Sequence, residues 1–303
     1  MANNLFVSTP PSINLIFSAE VFMEGFRGRG GFNLGLGELT FVGLGLFDEL
    51  DISLKGVEAA RRADVVYAEL YTSLMRGLSL ENLQNLIGKE VHVVGRRLIE
   101  EEGSELILER AEESRVVLLV PGDPLIATTH IDLRLRAERR GIKTRVIHAA
   151  SILSAAIGLS GLQNYRFGKN VTVPFPEPSL VYETPYMVIY ENKVRDLHTL
   201  CFLDIRVEES KFMTVKEGLR ALFEVEKRKR LRAVTSRSLA VGVARAGSDD
   251  AVVKADYVER LMEYNFGPPP HTLIFPAGRL HFVEAEALIT LAGAPEDIRG
   301  MIT

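Results

Sequence analysis

Short apolar runs alternate along the chain with stretches whose apolar positions recur three or four residues apart, so strands and helices alternate. Leu39-Thr-Phe-Val-Gly43 predicts a short strand ending in the glycine turn Gly43-Leu-Gly45. Ser53 suits the N-cap of a helix whose apolar face takes in Leu54, Val57 and Ala60. Val65 to Ala68 and Val91 to Val94 read as two further strands. Arg115-Val-Val-Leu-Leu-Val120 is a continuous apolar run, as expected of a strand covered on both faces. It stops at Pro121-Gly-Asp-Pro124, and a helix follows with Leu133 and Ala137 four apart, closed by Gly141. Thr144 to His148 is the next strand. Repeated strand-loop-helix units of this kind build a parallel, doubly wound sheet.

The small residues between Ser151 and Tyr165 predict a helix leading into a connector. Beyond it, Thr199 to Leu203, Leu239 to Ala244 and Thr272 to Phe275 read as strands. Thr214-Val-Lys-Glu217 matches a capping box, with Val215, Leu219 and Leu222 as the apolar stripe of its helix. The four prolines between Pro174 and Pro185 mark a loop or lid. This divides the chain into an N-terminal α/β domain over 39–150, a connector over 151–168 and a C-terminal α/β domain over 169–303. Residues 1–38 lack periodicity and end in a glycine-rich stretch. They read as a flexible extension, a tag-like leader or a start codon placed too early.

Composition narrows the classes without choosing among them. With 303 residues the chain has room for two domains at roughly 150 residues each. Hydrophobic residues make up 47% and charged residues 25%, as in ordinary soluble globular proteins. The net charge of −4 argues against a dedicated nucleic-acid binder, and a charged protein partner stays open. No apolar run approaches the ~18 residues of a membrane helix, and the start lacks a signal peptide's basic region. The expected location is the cytoplasm. Cys201, the sole cysteine, sits in an apolar run and reads as a buried inert thiol; one cysteine makes neither an intrachain disulfide nor a cysteine-rich zinc site, and no metal is expected.

In open α/β sheets, ligands bind outside the carboxyl ends of the strands. The segments found there are Gly45 to Asp48, Glu69 to Ser73, Pro121 to Ile126 and Ala149 to Ile152, then Asp204 and Arg245 to Ser248 in the second half. These loops are short and rich in Gly, Asp, Ser and Thr. Gly43-Leu-Gly45 begins like a dinucleotide fingerprint, but Asp48 stands where the third glycine belongs. No phosphate-binding P-loop and no G-x-S-x-G elbow occurs. No H-E-x-x-H occurs either; His281-Phe-Val-Glu284 comes nearest and reads as a pair on a surface helix. Pro121-Gly-Asp-Pro124 is the sharpest feature, a rigid turn that aims Asp123 into the crevice or leaves it as a solvated acid.

Taken in order, Gly43-Leu-Gly-Leu-Phe-Asp48, Ala68-Glu-Leu-Tyr-Thr-Ser73 and Pro121-Gly-Asp-Pro-Leu-Ile-Ala-Thr-Thr-His130 resemble the diphthine synthase family of the tetrapyrrole-methylase superfamily. So do His148 to Ile152, Gly161 to Lys169, Leu197 to Asp204, Ala244 to Ser248 and Gly267 to His271. The likeness runs from about Leu39 to the C-terminus. It implies two α/β domains, the N-terminal one with a mostly parallel sheet and the C-terminal one with a mixed sheet, and a cofactor cleft between them. It further implies a homodimeric methyltransferase using S-adenosyl-L-methionine, with S-adenosyl-L-homocysteine as product. Its acceptor is then the amino group of the 3-amino-3-carboxypropyl histidine of translation elongation factor 2, a step of diphthamide biosynthesis. By position, Leu46, Asp123, Ile126, Ser151, Ile152, Leu203, Ala246 and His271 would contact the cofactor.

That cofactor needs a few placed polar groups on a mostly apolar wall. Asp123 suits its ribose or ammonium, Ser151 its polar tail, and Leu46, Ile126, Ile152 and Leu203 its adenine and methionine stem. For the acceptor side, Glu69, Tyr71, Thr72, Ser73 and His130 are candidates for positioning the amine or taking its proton. Plainer roles stay open: a solvated loop acid for Glu69, a core-edge ring for Tyr71, a helix-start cap for His130. His92 and His148 read as structural, and the run Lys227 to Arg232 as a solvated helix end or a contact for the protein substrate. A methyltransferase of a corrin or porphyrin precursor, a non-catalytic cofactor-binding module and a nicotinamide oxidoreductase are the rival readings. The apolar Leu46-Phe47 in the first loop speaks against the first of these.

Overall fold

Thirty-six N-terminal residues aside, the chain folds around two five-stranded sheets. The structure, a computed structural model, describes residues 37–96, 99, 104–177 and 180–303, and these belong to one compact unit. What the sequence suggests for residues 1–38 lies almost wholly outside them; Glu38 already opens the first strand.

The first sheet holds β1 (Glu38–Gly43), β2 (Val65–Glu69), β3 (His92–Val94), β4 (Arg115–Val120) and β5 (Lys143–Ile147). Their order is β3-β2-β4-β1-β5 and every pairing is parallel. Central β4 shows why its sequence is uninterruptedly apolar: Val116, Leu118 and Val120 enter one core, Val117 and Leu119 the other. The first core is covered by α3 (Ser104–Glu113) through Ile107 and Leu108, and by α4 (His130–Arg139) through Leu133 and Ala137. The second lies under α1 (Leu54–Arg62) and α2 (Leu80–Ile87). Ser53 caps α1 by accepting from the Gly56 N–H, and Val57 and Ala60 are buried. Leu54, however, is 89% exposed: as the first helical residue it sits one turn short of the sheet.

The second sheet is mixed, in the order β11-β10-β12-β7-β6. It contains β6 (Val171–Val173), β7 (Thr199–Leu203), β10 (Leu239–Ala244), β11 (Val252–Tyr257) and β12 (His271–Phe275); only β6 and β7 pair in parallel. A small hairpin, β8 (Ile205–Arg206) and β9 (Lys211–Phe212), leads into α7 (Val215–Lys229), whose capping box at Thr214 and Glu217 forms as read. Together α7 and α6 (Thr184–Val194) cover one face, while α5 (Ile152–Ser160) and α9 (Phe282–Ala292) cover the other; α8 (Val258–Leu261) packs on α7. The proline-rich stretch is shorter than its prolines suggest, because Pro185 lies in the first turn of α6, where a missing N–H costs nothing. Cys201 is fully buried in the α6–α7 core, and burial pushes its thiol up. No helix among the described residues is long and apolar enough to cross a membrane.

His281 and Glu284 do not form a surface pair. Glu284 is fully buried and closes the capping box of α9. Its carboxylate accepts from the backbone N–H groups of Gln163 (3.0 Å) and His281 (2.9 Å), from His198 Nε2 (2.9 Å) and from Arg166. Burial works against the charge, but the two backbone hydrogen bonds and His198 together outweigh it and hold the carboxyl below its usual range. His198 accepts the Ala277 N–H on Nδ1, so it serves as a neutral imidazole, which its burial favours. The network ties the connector after α5 to β7 and α9. Replacing Glu284 by Ala leaves Arg166 with Asp196 and the Arg279 carbonyl as partners, and strips the Gln163 and His281 N–H groups and the buried His198 Nε2 of theirs. We expect the variant to lose about 3–5 kcal/mol in urea unfolding, and Glu284→Gln to lose less.

Candidate functional site

The loops at the carboxyl ends of the first sheet meet the second sheet across a cleft of about 250 Å³. Its geometry starts at Gly43, where a Cβ would lie 2.5 Å from the Gly122 carbonyl oxygen and 2.7 Å from Ala149 Cβ. Gly45 and Gly122 then exchange backbone hydrogen bonds of 3.3 and 2.7 Å, both residues at positive φ. The following turn is clamped by Asp51, whose Oδ2 accepts the N–H groups of Leu46 (3.0 Å) and Phe47 (2.7 Å). Across the cleft, Gly247 comes so close that a Cβ there would stand 2.8 Å from Leu46 Cβ.

All eight residues assigned to the cofactor line this one cleft: Leu46, Asp123, Ile126, Ser151, Ile152, Leu203, Ala246 and His271. Asp123 is nearly buried; its Oδ1 accepts the Leu125 N–H at 3.2 Å, and its Oδ2 lies 2.7 Å from His148 Nδ1. His148 stands just past β5 with its side chain 73% exposed, so it braces Asp123 at the rim instead of filling a core. Ser151 caps α5 by accepting the Leu153 N–H, which leaves its own O–H to donate. His271 is a wall element. Its Nδ1 accepts the Val215 N–H at 3.2 Å and its Nε2 faces the Pro268 carbonyl at 3.2 Å, which assigns a neutral imidazole protonated on Nε2.

Of the acceptor-side candidates, Thr72 and Ser73 line the cleft, while Glu69, Tyr71 and His130 lie behind its wall. Glu69 is not a solvated acid but fully buried. It accepts from the N–H groups of Tyr71 and Thr72 (3.1 Å each), from the Thr72 hydroxyl and from His130 Nε2 (3.1 Å). His130 is likewise fully buried and opens α4 without capping it. His92 is exposed on β3. The basic run Lys227 to Arg232 ends α7, roughly 20 Å along the helix from Val215.

Three further lining residues are not singled out by the sequence, although Thr128 and Arg245 lie inside segments read there. Thr128 and Thr172 look ordinary. Arg245, though, follows a wholly apolar strand, and that is a usable sign. It is buried at a φ of +52° and donates to the carbonyls of Phe266 (2.6 Å), Pro268 (2.8 Å) and Asp250 (2.9 Å) and to the Asp250 carboxylate (2.7 Å). Its charge is thus spent on shaping the loop before His271. Of the lining carboxylates, Asp204 accepts the Phe175 N–H at 3.0 Å and Arg206 Nε at 3.3 Å, while Asp123 has the His148 imidazole beside it. A cleft whose lining mixes apolar and polar groups, with two carboxylates and, among the described residues, an arginine already engaged on four acceptors, suits an elongated ligand carrying positive charge. Among the described residues, no group of three His, Cys, Asp or Glu side chains is arranged to hold a metal.

Comparison with known proteins places this architecture. The family model Tetrapyrrole (Corrin/Porphyrin) Methylases matches residues 38–256. A diphthine synthase of Methanosarcina acetivorans is 51% identical over 265 residues, which cover 86% of this chain and 98% of the relative. That of Methanosarcina mazei is 52% identical over the same shares. A crystal structure of a diphthine synthase superposes with a TM-score of 0.79 at 45% identity, covering 87% of this chain and 99% of the other.

Burial pushes His271 down to about 4, whereas an imidazole in an unfolded chain titrates near ~6.5. Between these values the unfolded chain binds a proton that the folded one refuses. The stability contributed is therefore complete above about pH 6.5, is lost as pH falls toward about 4, and levels off below. We expect the thermal unfolding midpoint to drop across that window, and the drop to be shallower in His271→Gln; His198 and the lowered Glu284 act in the same direction.

Proposed function

The chain belongs to the tetrapyrrole methylase family, within it to the diphthine synthases, and from this we propose that it methylates translation elongation factor 2. The acceptor is the amino group of its 3-amino-3-carboxypropyl histidine, the donor is S-adenosyl-L-methionine, and the product is an intermediate of diphthamide biosynthesis. We place the enzyme in the cytoplasm as a homodimer, with residues 39–150 and 169–303 as its two lobes and 151–168 joining them. The observation that carries this reading is the 51% identity to a diphthine synthase over 98% of that protein's length.

When bound, S-adenosyl-L-methionine supplies an electrophilic methyl group: the amine's lone pair forms the new N–C bond, the S–C pair returns to sulfur, and a proton leaves the nitrogen for water. Everything else falls to the chain. Leu46, Ile126, Ile152 and Leu203 offer the apolar wall for adenine and the methionine stem, with Ala246 keeping that wall narrow. Asp123, braced by His148, accepts from ribose hydroxyls or the ammonium, and Ser151 donates to the polar tail. His271, neutral and tied at both nitrogens, holds its wall in place without adding charge. Such a transfer creates no anion to stabilise, so rate comes mainly from holding an unprotonated amine in line with the methyl and from excluding water.

The test is transfer of label from S-adenosyl-L-methionine to elongation factor 2 bearing the unmethylated aminocarboxypropyl histidine, read alongside intact mass. Gains of whole methyl increments on that residue are expected, and their number gives the methylation count. Asp123→Ala should weaken cofactor binding by about 10-fold or more, the scale of a lost charge-assisted hydrogen bond. Cofactor binding without any mass gain overturns the proposed acceptor.

A further inference from the structure

Two hydroxyls in the cleft lining have already committed their hydrogens. Thr72 Oγ1 donates to the buried Glu69 carboxylate, and Thr128 Oγ1 donates to the Pro124 carbonyl at 2.9 Å. A hydroxyl whose hydrogen is engaged offers only lone pairs to whatever else approaches it. Both threonines line the cleft, and each hydroxyl, its hydrogen engaged, can meet a ligand there only as an acceptor. We infer that Thr72 Oγ1 and Thr128 Oγ1 form an acceptor-only cradle for the N–H groups of the substrate amine, held in that polarity and register by the buried Glu69–His130 pair.

The placement of the two residues supports their assignment to the acceptor. In the strand order β3-β2-β4-β1-β5, the cofactor candidates of the first sheet come from the loops after β4, β1 and β5. Thr72 follows β2, on the other side of β4, so it stands at the end of the cleft that those candidates leave free. Thr128 lies two residues before His130, whose Nε2 meets Glu69 in the segment that leads to Thr72. Glu69 Oε1 joins the two segments: it takes both the Thr72 hydroxyl and His130 Nε2, the latter from the first residue of α4. Glu69 and His130 touch no cleft surface themselves and act as positioning residues.

The chemistry of a primary amine makes such a cradle useful. Neutral, it carries two N–H groups and one lone pair. When two acceptors hold the N–H groups, the lone pair is the remaining free direction, which orients the nucleophile without a strong base. A wall that donated hydrogen bonds would engage the lone pair instead and block transfer.

This inference rests on the function proposed above, and the experiment separates the two. Single-turnover rates of the first methyl transfer and titration calorimetry with S-adenosyl-L-methionine are measured for wild type, Thr72→Val, Thr72→Ser, Glu69→Gln and the double variant. Thr72→Val keeps the shape and removes the oxygen, so the rate should fall by about 10- to 100-fold with cofactor affinity held within about twofold. Thr72→Ser should recover most of the rate. Glu69→Gln keeps its carbonyl on the two backbone N–H groups and turns an N–H toward Thr72, which must then accept. His130 can follow by moving its proton to Nδ1, buried with no hydrogen-bond partner among the described residues. The Thr72 hydrogen now points into the cleft, so this variant should lose as much as Thr72→Val, and the double variant no more than either. Unchanged transfer by Thr72→Val overturns the cradle. A loss confined to cofactor affinity also overturns it and assigns the wall to the donor. Absence of transfer by wild type overturns the functional reading itself.

Discussion

Gly45 and Gly122 exchange two backbone hydrogen bonds where β1 and β4 end side by side, at a separation that leaves no room for a side chain on neighbouring Gly43. These two strands are the most enclosed of the first sheet, and their loops are pinned to each other before any side chain reaches the cleft. Leu46 and Asp123 are placed by that contact, one on each loop. The second sheet is drawn in at the same spot, through the approach of Gly247 to Leu46. A change of register between β1 and β4 would therefore displace both sides of the cleft together.

Around that contact the polar groups are used sparingly. Arg245 satisfies carbonyls, His271 satisfies one N–H and one carbonyl, and Glu69 satisfies two N–H groups, a hydroxyl and an imidazole. Each would be expensive to bury alone, and each is buried with its hydrogen bonds made. The surface left to a ligand mixes apolar side chains with oriented oxygens, as suits a positively charged donor with an adenosine body.

Much of this was legible along the chain, and the parts that were not share a cause. The parallel strands announced themselves because burial on both faces forces unbroken apolar runs, as in Arg115 to Val120. The strands β6, β8, β9 and β11 are short or half-exposed, with burial patterns that mix with loop sequence, and they went unread. Leu54 fits the helical spacing yet lies in solvent, because spacing does not say where a helix first meets its sheet. At the site, strand ends pointed to the loops, while the eight cofactor candidates, taken from the family resemblance, line one cleft. The fates of Glu69, His130 and Glu284 were hidden, since a carboxylate that pairs with a distant imidazole or guanidinium leaves no local mark. Arg166 and His198 lie 118 and 86 residues from Glu284.

Cys201 carries a practical consequence. It is the chain's sole cysteine, wholly enclosed between α6, α7 and the second sheet, with its thiolate form suppressed by burial. The native thiol is thus silent toward alkylating reagents while the fold holds. A cysteine introduced on the rim of the cleft will be the one that takes a fluorophore or spin label, so distances across the cleft can be followed without first rebuilding the core.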